Sequence, residues 1–194
     1  MTMDNPTFSG NLFDLTGKVA VISGAAQGLG KAASLAVAQA GANVVLVDRN
    51  ISGLETTADL IRKTGRKALV SVTNVSDPDA IAELFKQIDL EFGRVDFLGN
   101  IAGDGHLAKP EELTIADLHA VLHNLVVGRY AMSHQAGIRM LAQGRGSIMN
   151  IGSLASSTAL GRGHIAYSMA MGAVLQMTRE LSTEWSHRGV RVNC

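Results

Sequence analysis

Three glycines and one aspartate carry the clearest chemistry in the chain. Gly24, Gly28 and Gly30 stand at Gly-x-x-x-Gly-x-Gly spacing, where a pyrophosphate needs backbone N–H groups with no side chain in the way. Asp48 follows at roughly the 20-residue interval at which an acid accepts from a ribose 2′-hydroxyl and repels a 2′-phosphate. A nucleoside-triphosphate P-loop is the competing cradle, and it fits badly. Lys31 follows a glycine, but Ala32 stands where a magnesium-binding Ser/Thr is needed and Ala25 where the first glycine is needed.

The elements that must hold these groups are legible around them. Val19, Ala20, Val21 and Ile22 have the composition of a strand buried on both faces of a parallel sheet. A small, apolar helix is expected over about 29–40, ended by Gly41, and a second buried strand over 43–47. Helical spacing continues at Ile51, Leu54, Ala58 and Ile61 up to Gly65, and residues 67–72 read as a third strand. Asp77 caps a helix with Pro78 in its first turn and a buried stripe of Ile81, Leu84, Phe85 and Ile88, ended by Gly93. Further strands are expected over 95–98, 147–151 and 190–192, with helices over 114–142 and 164–187. Such alternation implies right-handed βαβ crossovers, so the expected fold is α/β: a doubly wound parallel sheet in three α/β/α layers, the Rossmann fold. Ligands then bind at the carboxyl ends of the strands, at the switch point. Residues 15–194 read as one domain behind a loosely held segment over 1–14.

The chain has 194 residues, with 17 Lys+Arg against 17 Asp+Glu. That balance gives no global field for nucleic acid or an anionic membrane, and points to a small-molecule site. Cys194 is the single cysteine, which leaves no disulfide framework or thiolate cluster. No uninterrupted apolar run reaches membrane-spanning length, and the amino end lacks the signal-peptide pattern. A cytoplasmic protein, partnered by neither nucleic acid nor membrane, is expected. His119 and His123 share a helical face at metal-ligand spacing, but no Glu follows His119 and no third ligand is evident. They read as surface histidines, with no metal site.

With Ser23 in front, the glycine turn resembles that of the short-chain dehydrogenase/reductase family, which reads Thr/Ser-Gly-x-x-x-Gly-x-Gly. The resemblance makes Gly24, Gln27, Gly28, Leu29, Gly30 and Asp48 a binding site for NAD. It extends to Asn74-Val75, where the family has Asp-Val against the adenine. It also covers Asn100-Ile101-Ala102-Gly103, where the family has Asn-Asn-Ala-Gly: Asn100, Ala102 and Gly103 match and Ile101 does not. Asn124 lies inside the apolar helix LHNLVVGRY, a placement that propensity disfavours. It either bonds a neighbouring backbone carbonyl or, as the resemblance implies, kinks the helix and holds a water of the proton relay. Ser153 after the fifth strand and Tyr167 on the next helix are similar to the family's catalytic pair. There Ser polarises the substrate carbonyl and Tyr moves the hydroxyl proton. Ser156 and Ser157 lie farther into the same loop.

Two departures stand against the matches. The motif Tyr167-Ser168-Met169-Ala170-Met171 has Met where the family's Tyr-x-x-x-Lys has the lysine that activates the tyrosine and binds the nicotinamide ribose. A phenol is a poor base at neutral pH without a nearby cation, and a thioether supplies none. Arg162 and His164, in the preceding loop, are conceivable substitutes. The resemblance covers 15–194, and Arg191-Val192-Asn193 matches the point where family members continue into the region that shapes the substrate pocket. The leading expectation is an NAD(H)-dependent oxidoreductase interconverting an alcohol and a ketone. Its substrate would be a sugar alcohol, sugar acid or 3-oxoacyl thioester, with Asn124, Ser153 and Tyr167 catalytic, in a homodimer or homotetramer. The rival is a dinucleotide-binding protein without turnover.

Overall fold

Unbroken runs of branched apolar residues build the centre of the sheet. In the computed structural model, which describes residues 13–194, Val19–Ser23 (β1) is buried throughout and Asn43–Asp48 (β2) is buried except at its two ends. Ala68–Val72 (β3), Phe97–Asn100 (β4), Gly146–Asn150 (β5) and Val190–Asn193 (β6) complete a six-stranded sheet in the order β3-β2-β1-β4-β5-β6. Every pairing is parallel. The order reverses between β1 and β4, so the connections diverge there and leave a crevice at the strands' carboxyl ends.

Helices cover both faces. Gly28–Gln39 (α1) and Ile51–Arg62 (α2) close one core around Ile22, Val44, Leu46, Leu54 and Ile61. Pro78–Phe92 (α3) brings Ile81, Leu84, Phe85 and Ile88 to the opposite face, where Gly128–Gln143 (α5) adds Met132, Ala136 and Met140. Ile165–Trp185 (α6) packs beside them through Leu181 and Trp185. Asp77 caps α3 as its sequence position implies, its carboxylate accepting from the N–H groups of Asp79 and Ala80. Among the described residues no helix is long and apolar enough to cross a membrane. The segment over 1–14 lies almost wholly outside the described residues.

Two elements differ from expectation for local physical reasons. The helix expected over 114–142 is divided into Ile115–Leu122 (α4), a π-helical turn at His123–Val127, and α5. Gly128 explains the division, because a β-carbon there would overlap the Val75 carbonyl. The chain widens by one residue per turn to bring its backbone against that loop, and such turns concentrate at functional sites. The fourth strand starts at Phe97 rather than Val95, because the Gln143 side chain takes both backbone groups of Val95, at 3.1 and 2.8 Å.

Asp96 fastens the opposite rim of the sheet. It accepts from Val19 N–H at 3.0 Å and from the Arg94 guanidinium at 2.7 and 2.5 Å. Burial raises its carboxyl, but the Arg94 and Val19 hydrogen bonds, with the charges of Arg94 and Lys18, outweigh that and hold it below the usual range. A group with a depressed folded value stabilises above the unfolded range, near pH 4, and loses that contribution as pH falls through the folded value. Thermal melts across this window are expected to show an acid loss in the parent. Asp96→Asn should start lower at neutral pH and lose less on acidification; an identical acid limb would refute the assignment.

Candidate active site

The glycine turn divides its labour. A β-carbon on Gly24, at φ +73°, would come within 3.0 Å of Ala102 N, and one on Gly30 would overlap the Gly24 carbonyl oxygen. Both absences let backbone pack on backbone. Gly28, at φ +52°, has nothing within 4 Å of its missing β-carbon, so it keeps open the space over the first turn of α1. That turn carries no capping side chain at Gln27 and no acidic residue. Its free N–H groups and the positive end of the helix dipole therefore suit a phosphate.

These residues line a cleft of about 340 Å³. Gly24, Gln27, Gly28, Leu29 and Gly30 form one wall, and Ala102 and Gly103, after β4, form the other. Asp48 lies at one end, and Asn74, Val75 and Asn124 also reach the lining. Asp48 is half-buried, and its carboxylate accepts from the N–H groups of Ala26, Arg49 and Asn50 at 3.2, 2.7 and 3.0 Å. It thus fixes both the glycine turn and the entry to α2. The side chain of Asn74 accepts from Ser76 N–H at 3.1 Å. Asn100 does not reach the lining: it is 1% exposed and donates to Ser133 Oγ and Asn150 Oδ1, both at 2.9 Å.

Of the groups expected to be catalytic, Asn124 lines this cleft, while Ser153 and Tyr167 are not among its lining residues. Asn124, in the π-helical turn, accepts from Asp104 N–H at 3.0 Å and donates to Ser76 Oγ at 2.9 Å. It therefore joins the loops after β3 and β4 rather than bonding its own helix. Ser153 opens the short 3₁₀ turn Leu154–Ser156, with its Oγ accepting from Ala155 N–H at 3.1 Å. Its hydroxyl hydrogen is not used in that bond and remains available to a substrate oxygen. Tyr167, half-buried near the start of α6, packs its ring on Gly105 and meets the His164 ring edge-on at 6.4 Å. Met171, one turn further, is fully buried among Leu125, Ala170 and Val174. Arg162 is exposed at φ +60°, and His164 Nδ1 donates to the Gly161 carbonyl at 2.7 Å.

The family model for short chain dehydrogenases matches residues 18–194. The chain belongs to the short-chain dehydrogenase family. D-threitol dehydrogenase of Mycolicibacterium smegmatis is 37% identical over 181 residues, 93% of this chain and 69% of that protein. Gluconate 5-dehydrogenase of Gluconobacter oxydans is 33% identical over 94% of this chain and 71% of its own length. The NAD⁺-bound structure of a xylitol dehydrogenase superposes with a TM-score of 0.88 at 28% identity, covering 94% of this chain and 70% of that one. As a short-chain dehydrogenase the chain is an oxidoreductase by family, with its cleft at the family's switch point.

The cleft also takes residues beyond the motif matches. Thr73, Ile101 and Asp104 contribute to the lining, and Arg49, beside Asp48, pairs with Asp104 at 2.9 Å between two of the loops that form it. Arg129, only 6% exposed, donates to the carbonyls of Ile151 and Ala102. Its signal in the sequence is a charged residue in the apolar stripe of Leu125, Met132 and Ala136. His123 Nε2 donates to the Ser76 carbonyl at 2.7 Å and His119 is exposed. Urea unfolding should separate the glycines. Gly28→Ala is expected to cost only the left-handed penalty of about 1–2 kcal/mol, and Gly30→Ala about 3 kcal/mol for the forced overlap. Equal losses would contradict the two roles.

Proposed function

We propose that this short-chain dehydrogenase is an NAD(H)-dependent oxidoreductase interconverting an alcohol and a ketone, with Tyr167 as acid/base. The cleft at the reversal of strand order carries the reading: a cradle of uncapped N–H groups at one side and the Asp48 carboxylate at the end where a ribose would lie. The open space at Gly28 fits a pyrophosphate, which a β-carbon would obstruct. Asp48 favours an unphosphorylated ribose, while Arg49 beside it, held only by its exposed pair with Asp104, can offer a phosphate a cation and so narrows that preference. The nicotinamide, when bound, exchanges hydride with the substrate carbon. In the oxidising direction Tyr167 takes the hydroxyl proton while Ser153 donates to the oxygen that becomes the carbonyl. Asn124 ties the two neighbouring loops in place, and its part in relaying that proton is implied by the family's pattern.

The names of the relatives, threitol, gluconate and xylitol dehydrogenases, favour a polyol or sugar-acid substrate over a 3-oxoacyl thioester. A homodimer or homotetramer is part of the same reading, supported by apolar side chains left exposed on α5, Tyr130 at 49% and Ile138 at 51%. One observation favours a second reading, a dinucleotide-binding protein without turnover: Met171 is buried and uncharged where the motif calls for lysine.

Fluorescence titration is expected to show saturable NADH binding, tighter than NADPH. Asp48→Asn should narrow the gap about tenfold by removing the repulsion of a 2′-phosphate. Binding of neither nucleotide would overturn the cofactor assignment. On a panel of polyols, Tyr167→Phe is expected to lower turnover by about 10²- to 10⁴-fold. Retained turnover in that variant would sink the role of Tyr167, and a silent parent that binds NADH would establish the second reading.

A further inference from the structure

Charge is unevenly divided along the cleft. Of the described residues that line it, Asp48, Arg49 and Asp104 are charged, and Arg49 is the single cation. Its guanidinium is turned to Asp104, with Nη2 donating to Oδ2 at 2.9 Å. Fixed backbone presents both partners. The N–H of Arg49 donates to Asp48 Oδ1 at 2.7 Å, and that of Asp104 donates to Asn124 Oδ1 at 3.0 Å. Close approaches flank Asp104 on either side: a β-carbon on Gly103 would overlap Leu125, and one on Gly105 would lie 3.2 Å from the Tyr167 ring. The two side chains are mostly exposed and meet across open solvent. Among the described residues the Asp104 carboxylate has no other partner, so it caps no helix and closes no turn.

We propose that Asp104 is a specificity-determining residue of the cofactor site, one that withholds Arg49 from the 2′-phosphate of NADP(H). This rests on the cofactor reading above. Asp48 disfavours such a phosphate by direct repulsion, whatever Arg49 does. Arg49, next to Asp48 in the chain, is the group that can offset the repulsion, since a guanidinium grips a phosphate through paired N–H donors. To do so it must leave Asp104, so carboxylate and phosphate compete for one cation. An exposed pair is weak, and the competition therefore grades the preference rather than making it absolute. NAD(H) carries a neutral 2′-hydroxyl in place of the phosphate and has no claim on the guanidinium. Part of the selectivity thus comes from the loop after β4, 55 positions away from Arg49, and not from the end of β2 alone.

The readout is the ratio of the NADPH to the NADH dissociation constant, taken from nucleotide fluorescence and independent of turnover. Asp104→Asn removes the charge and keeps the backbone N–H that Asn124 holds. It is expected to lower the ratio about threefold to fivefold, the worth of an exposed pair. In an Arg49→Gln background the same substitution should leave the ratio nearly unchanged, because no cation remains to be released. Asp104→Ser carries the same two expectations, so the test does not hang on the folding of one variant. A ratio that stays put in both Asp104 variants overturns the proposal. So does an equal fall with and without Arg49, which would show that Asp104 repels the phosphate directly. A parent that binds neither nucleotide refutes the cofactor reading and this inference with it. A parent that binds NADH, with a ratio unmoved by the Asp104 substitutions, refutes the role of Asp104 alone.

Discussion

The hydroxyl of Ser23 is the joint on which the cleft depends. The β1–β4 ladder ends at Ile22 and Gly99, and there the Ser23 side chain takes over from the backbone. It donates to the Gly99 carbonyl at 3.3 Å and accepts from the N–H groups of Ile101 and Ala102 at 3.0 and 3.1 Å. The two strands can therefore part without leaving buried backbone groups unpaired, which would cost about 1–3 kcal/mol each. The glycine turn leaves on one side and the Ala102-Gly103 wall on the other. A cleft at the carboxyl ends of a buried sheet leaves such groups to be paired, and one small side chain pairs them.

Behind the joint lies a polar seam through an otherwise apolar interior. Asn100 bonds Asn150 and Ser133, Asn150 donates to Thr178 at 3.0 Å, and Thr178 returns to the Val174 carbonyl at 2.8 Å. The seam links the carboxyl ends of β4 and β5 to α5 and α6, the same four elements that carry or adjoin Arg129, Ser153 and Tyr167. Buried networks of this kind fix a unique arrangement, because each member loses its partner if a helix shifts. The short-chain dehydrogenase site is thus anchored from beneath by side chains that never touch the cleft.

The glycine turn, the apolar strands and the acid after β2 were legible because each follows from local chemistry: a backbone without β-carbons, a run without polar breaks, a carboxylate at a fixed interval. Other features depend on partners far away in the chain. The π-helical turn answers the Val75 carbonyl, which no propensity within residues 114–142 reveals. Val95 reads as strand by composition and is taken out of the ladder by Gln143. Asn100 matches a cofactor-binding motif, yet its amide serves the interior seam. Arg129 is hard to read from the sequence because an arginine on a helix normally faces water, and only its place in an apolar stripe signals otherwise.

The Arg49–Asp104 pair joins the loop after β2 to the loop after β4, both of which contribute to the cleft. Each side chain is mostly exposed, at 66% and 77%, so dissolved ions reach the pair freely. Exposed pairs of this kind contribute roughly 0–1 kcal/mol and are screened over about 8 Å at physiological salt. The link therefore spans the two loops without holding them, since a pair of this strength parts at ordinary thermal rates. The pair accordingly loosens as ionic strength rises, a dependence set by solvent rather than by the packed interior.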